Sequence, residues 1–66
     1  MPTGSVKWFD PVKGYGYITP EGGGQDAFVH RAALPPEVST LTEGQIVDYE
    51  TEPTPRGPKV TQLRVK

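Results

Sequence analysis

Short apolar runs interrupted by polar residues recur along this chain, and none keeps a helical period long enough for a full helix. Five runs read as strands: Ser5–Asp10, Gly16–Pro20, Ala27–Arg31, Ile46–Glu52 and Lys59–Val65. Turn-forming residues separate them at Pro11-Val12-Lys13-Gly14, at Glu21-Gly22-Gly23-Gly24, across 32–45, and from Pro53 to Pro58. Arg31-Ala32-Ala33-Leu34 is expected to make one helical turn before Pro35-Pro36 stops it.

Strand alternation sorts these runs into two faces. Tyr15, Tyr17 and Thr19 share one face of the second run, and Ile18 points the other way. Phe28 and His30 share a face with Asp26, with Ala27 and Val29 opposite. The aliphatic set, joined by Val6, Val47, Tyr49, Val60 and Leu63, is the expected core. The other faces then carry Tyr15, Tyr17, Phe28 and His30 on neighbouring strands, linked by a short glycine-rich hairpin turn, Glu21–Gln25. A small soluble protein seldom exposes a cluster of rings without a use for it. Five short strands with a long third-to-fourth connection suit an all-β, five-stranded antiparallel Greek-key barrel of the OB-fold type.

Composition narrows the reading. With 66 residues, one domain spanning 1–66 is expected. No cysteine is present, so neither disulfides nor thiolate metal sites staple it, and one histidine does not make a zinc site. No metal or cofactor is expected. No apolar run reaches the length of a membrane span, and the first residues do not resemble a secretory leader. A cytoplasmic location is expected.

The net charge of −1 is unusual for a nucleic-acid binder, which is commonly basic. The charges are, however, segregated along the chain. Residues 37–52 hold five acids and no bases, whereas residues 53–66 hold four bases and no acids. Either these are two solvated edges, or the acids are kept away from a mildly basic binding face.

A surface ring offers a flat, polarisable face, as every nucleobase does, and stacking the two needs no particular base identity. Rings two apart on a strand lie about 7 Å from each other and can receive successive splayed bases. Interleaved Lys and Arg then meet phosphates. At this point a resemblance enters. Lys13-Gly14-Tyr15-Gly16-Tyr17-Ile18 resembles the first ribonucleoprotein motif of cold-shock domains, and Ala27-Phe28-Val29-His30 resembles the second. Val6-Lys7-Trp8-Phe9 resembles the family's opening strand, and Glu43-Gly44-Gln45 and Arg56-Gly57-Pro58 resemble its later landmarks. The likeness covers nearly the whole chain, in the family's order and spacing.

The resemblance implies that Trp8, Tyr15, Tyr17, Phe28 and His30 are stacking platforms, with Phe9 at their edge. It implies that Lys7, Lys13 and Arg56 meet the backbone and that Asp26 hydrogen-bonds a base edge. To put Trp8 and Phe9 on one face, it would need a bulge or a strong twist in the first strand. Five positions depart from the family pattern. Tyr15 and Tyr17 replace Phe and keep the π-face. Arg31 stands where many relatives have Phe, and a guanidinium can stack or pair with a phosphate. Val38 is often aromatic in relatives, and Asp10 replaces a common Asn.

The implied function is that of a single-stranded RNA- and DNA-binding protein with a preference for pyrimidine-rich strands. It would act as a passive RNA chaperone and not as an enzyme. It would affect transcription termination or translation. A monomer is expected, with a strand-exchanged dimer as the alternative. Plainer readings stand beside each residue. Trp8 could be core, and Tyr15 and Tyr17 could be cross-strand partners only. Phe28 could lie under the 32–45 loop, His30 could be a hydrogen-bonded strand residue, and Asp26 could cap the glycine turn. Lys7 and Lys13 could be ordinary solvated charges. Two rival functions are a barrel that binds proline-rich ligands in an aromatic groove and a small nuclease using His30 with Asp26. Lys7 and Lys13 beside the rings disfavour the first, and the lack of a nucleophile or metal cluster disfavours the second.

Overall fold

A computed structural model describes residues 2–66. Its strands are β1 (Thr3–Asp10), β2 (Tyr15–Pro20), β3 (Ala27–His30), β4 (Ile46–Thr54) and β5 (Gly57–Val65), with one 3-10 turn, η1 (Arg31–Ala33), after β3. They close into a barrel in the order β1-β2-β3-β5-β4. The expected all-β, OB-like barrel is therefore what forms. Four of its pairings are antiparallel, but the seam between β3 and β5 is parallel, with Phe28 opposite Lys59.

The core follows from alternation on β2, β3 and β4, but β5 departs from it: Val60 and Leu63, three apart, both face inward because Thr61 is an extra residue where β5 shifts register against β4. Val6, Ile18, Ala27, Val29, Val47, Tyr49, Val60 and Leu63 are all buried, each at 5% exposure or less, as the aliphatic faces require. Leu41 joins them. It lies in the irregular 34–45 connection, where no strand or helix period marks a residue as inward-facing. Phe9, Leu34, Val38 and Val65 pack against the core from its rim. Each such side chain taken from water contributes on the order of 1.5–3 kcal/mol. Burial also pushes the Tyr49 phenol above its ordinary pKa range.

Five strand ends differ from the reading of the runs, by one residue at the start of β2 and the end of β3 and by two at the start of β1, the end of β4 and the start of β5. β1 starts at Thr3 because Thr3 and Gly4 pair with Asp48 and Val47 of β4, and the Thr3 hydroxyl donates to Asp48 Oδ1 at 2.7 Å. The expected Pro53–Pro58 break shrinks to a tight turn at Pro55-Arg56, since Pro53 pairs with Pro58 and Thr54 with Gly57. Proline is tolerated near the end of a hairpin, where few ladder donors are needed. The turn is held instead by Thr54 Oγ1, which donates to the Gly57 carbonyl at 2.6 Å and accepts from the Arg56 N–H at 3.2 Å.

The segregation of charge along the chain is undone in space. β4 and β5 are neighbours, so Asp48 faces Arg64 and Glu52 faces Lys59. The acids of β4 are therefore not held apart from the bases of β5, and Glu52 lies across from Lys59, which itself stands opposite Phe28.

Candidate nucleic-acid interface

The bulge in β1 decides which way its aromatics point. Val6 pairs with Ile18, but the next register pair is Trp8 with Tyr17, leaving Lys7 as the extra residue. One inserted residue switches the faces beyond it. Trp8 therefore turns outward, where it is 38% exposed, although Val6 two residues earlier is buried. The core reading of Trp8 is excluded by the same step.

Phe9 then takes the inward side. It pairs with Gly16 and packs against the core. This corrects the expectation that the bulge brings Trp8 and Phe9 onto one face: the bulge is present, but the two rings lie on opposite sides of the strand.

Outside the barrel, four rings meet in a closed circuit. Trp8 and Tyr17 have centroids 5.5 Å apart, Tyr17 and Phe28 5.7 Å, Phe28 and Tyr15 5.8 Å, and Tyr15 and Trp8 5.8 Å. The register makes two of these contacts directly, since Trp8 faces Tyr17 and Tyr17 faces Phe28. The planes are tilted or edge-on, between 31° and 72°. Such contacts suit the ring quadrupoles, and no ring covers another in a parallel stack. Tyr15, Tyr17 and Phe28 are half-buried by these contacts and Trp8 is exposed, so the cross-strand-partner reading of the tyrosines holds alongside their place on the outer face.

His30 continues the strand beyond Phe28, opposite Tyr15. Its Nδ1 accepts the Ala32 N–H at 3.1 Å and so caps η1. In the neutral imidazole this places the remaining proton on Nε2, facing away from the cap. The hydrogen-bonded strand role of His30 is therefore present, and its ring is pinned by it.

Charged groups border the rings. Lys7 Nζ and Asp26 Oδ2 form an ion pair at 3.0 Å, with side-chain exposures of 56% and 32%. A pair this exposed is worth about 0–1 kcal/mol, so a phosphate can replace the carboxylate at little cost. Asp26 is thus spent on Lys7 and not on capping the glycine turn, where Gly22, Gly23 and Gly24 all have positive φ. Lys13 sits in the β1–β2 turn. Asp10 Oδ1 accepts the Val12 and Lys13 N–H groups at 2.9 and 3.1 Å, so the departure to Asp at position 10 serves the turn. Arg31 is exposed. Its N–H donates to the Gly14 carbonyl at 2.8 Å, and its side chain lies across Gly14, where an added Cβ would come 2.9 Å from Arg31 Cδ.

Arg56 reaches the rings from the other side. A groove of about 410 Å³ runs between Tyr17, Asp26 and Phe28 and the Thr54–Lys59 hairpin that carries Arg56. A second groove, about 450 Å³, lies across the seam between Phe28, His30 and η1 on one side and Glu52, Lys59 and Thr61 on the other. Lys59 and Glu52 were absent from the residues expected at this face. Their alternation was legible, but the parallel pairing of β5 with β3 was not, and only that pairing brings them beside Phe28. Val38 is half-buried against the core and takes no place among the rings.

The sequence matches the family described as 'Cold-shock' DNA-binding domain over residues 2–65. It is 45% identical over 65 residues to the cold shock-like protein CspA of Stigmatella aurantiaca, covering 97% of this chain and 96% of that one. It is 51% identical over 62 residues to the cold shock-like protein CspI of Escherichia coli, covering 92% and 89%. The cold shock-like protein CspJ of Salmonella typhimurium is 47% identical over the same length.

Proposed function

This chain belongs to the cold-shock domain family, whose members bind nucleic acid, and from that premise we infer that it captures single-stranded RNA and DNA by stacking unpaired bases on its ring circuit. The observation that carries this reading is the closed circuit of Trp8, Tyr15, Tyr17 and Phe28 on the outer face. His30 extends it, Lys7, Lys13, Arg31 and Arg56 meet phosphates, and Asp26, once released by Lys7, accepts from a base edge.

Each stacked base contributes ~1–3 kcal/mol. Four or five platforms amount to roughly 4–15 kcal/mol before the cost of ordering a flexible strand, so a micromolar to high-nanomolar site is expected. Duplex stacking is worth ~1.4 kcal/mol per step. The protein can therefore hold open a short or marginal hairpin but does not melt a long duplex. It works passively, by trapping bases during spontaneous opening and shifting the population toward single strands. This is RNA chaperone activity, with consequences for transcription termination or translation. It requires no catalytic group, and it fits a cytoplasmic monomer with a preference for pyrimidine-rich strands.

The test is a titration followed by Trp8 fluorescence, using U-rich RNA, T-rich DNA and the matching duplex. Quenching by both single strands but not by the duplex is expected. Phe28→Ala should weaken single-strand binding about tenfold, which corresponds to about 1.4 kcal/mol. Unchanged Trp8 emission at saturating oligonucleotide would overturn the stacking role.

A further inference from the structure

The β3–β5 seam is where the outer face crosses from the ring-bearing strands to a strand far along the sequence. Phe28 and Lys59 stand opposite each other there. The same two residues line both grooves, the first on the Arg56 side and the second on the His30 side. They form a ridge with a cavity on each flank, one of about 410 Å³ and the other of about 450 Å³. Pockets of that size lie within the range that holds small organic ligands.

Charge separates what each part of this region accepts. Lys59 is exposed, and the one ion pair among the described residues is Lys7–Asp26, so the Lys59 ammonium is free for an outside anion. Glu52 lies across the ladder from Lys59 and lines only the second groove. Its carboxylate repels a phosphate entering that groove but not a neutral base. The pinned His30 ring and the edge of Phe28 supply the apolar wall such a base needs.

We propose that Lys59 is a phosphate-binding residue at the seam, over which a bound strand continues from the ring circuit and turns one further base into the groove between His30 and Glu52. The proposal rests on the single-strand-binding reading above and extends its track from β1–β3 onto β5. The cation on the ridge holds the backbone, and the acid in the groove keeps the backbone out of it.

Oligonucleotide length isolates this step. Barrels of this type occupy ~4–16 nucleotides, so thymidine oligomers of about four and about eight residues distinguish the ring circuit alone from the extended track. Lys59→Gln should weaken the longer oligomer about fivefold at roughly 0.1 M salt and the shorter one by less than half as much. The slope of log K against log salt for the longer oligomer should fall by about 0.7, the value for one phosphate contact on a single strand. Lys59→Arg should restore both. Equal weakening at both lengths, or no loss at either, would overturn the proposal. If neither oligomer quenches Trp8 in the unaltered protein, the single-strand reading itself fails. Normal binding with no length-selective loss in Lys59→Gln sinks only the seam contact.

Discussion

Gly16 shows how one missing side chain prepares the outer aromatic face. It sits opposite Phe9 in the β1–β2 ladder, and an added Cβ would come 2.7 Å from Phe9 Cα and 3.0 Å from Phe9 Cδ1, and would also strike the Trp8 carbonyl oxygen. Two of these neighbours are backbone atoms, which cannot swing aside as a flexible side chain does. Gly16→Ala should therefore push β1 from β2, costing about 1–3 kcal/mol as overpacking typically does, and should loosen the 5.5 Å contact of Trp8 with Tyr17. A lower urea midpoint together with weaker oligonucleotide binding is expected. An unchanged midpoint would show that the strands separate freely. Which atoms approach Gly16 was set by the register.

At the level of elements, the bulge and the seam matter most. Local signals placed all five strands, because alternation and turn residues act over a few positions. They left the two ends of the β4–β5 hairpin short, since proline there reads as a break although the ladder tolerates it. The seam is also the weakest closure of the barrel. β4 and β5 pair continuously from Val47–Val65 to Thr54–Gly57, apart from one irregularity after Glu50, whereas β3 and β5 share the single register pair Phe28–Lys59. Local opening is expected where few ladder bonds must break. Native-state hydrogen exchange should accordingly find the amides bridging β3 and β5 less protected than those bridging β4 and β5. Equal protection at both would contradict this. A seam that opens readily is also where strand exchange into a dimer would begin.

For the whole molecule, the governing quantity is charge. The chain carries a net charge of −1, and its outer face is not a basic stripe. Lys7, Lys13, Arg31, Arg56 and Lys59 are the cations in reach of the rings, and Lys7 already holds Asp26. With five phosphates neutralised at most, the salt slope for single strands should be no steeper than about −3.5, at about −0.7 per contact. A measured slope near −6 would mean that the bound strand leaves the ring face for other cations. A slope within that bound would mean that affinity rests mainly on stacking, which salt screens little.

Much of this architecture is legible in the sequence. The inward and outward sets of β2 and β3, with Tyr15, Tyr17 and Phe28 among the outward ones, follow from a period of two acting on neighbouring residues, which is local physics. Chain folding in three dimensions settled the rest. The Lys7 bulge turned Trp8 out and Phe9 in, because a face switch depends on the partner strand and leaves no mark in the run itself. The parallel seam brought Lys59 and Glu52 beside Phe28, and the 34–45 loop brought Leu41 into the core. Contacts between residues distant along the chain are chosen by how the barrel closes, and no window of sequence contains that choice. Were Trp8, Tyr17 and Phe28 found shielded from solvent in solution, the case for a stacking surface would collapse.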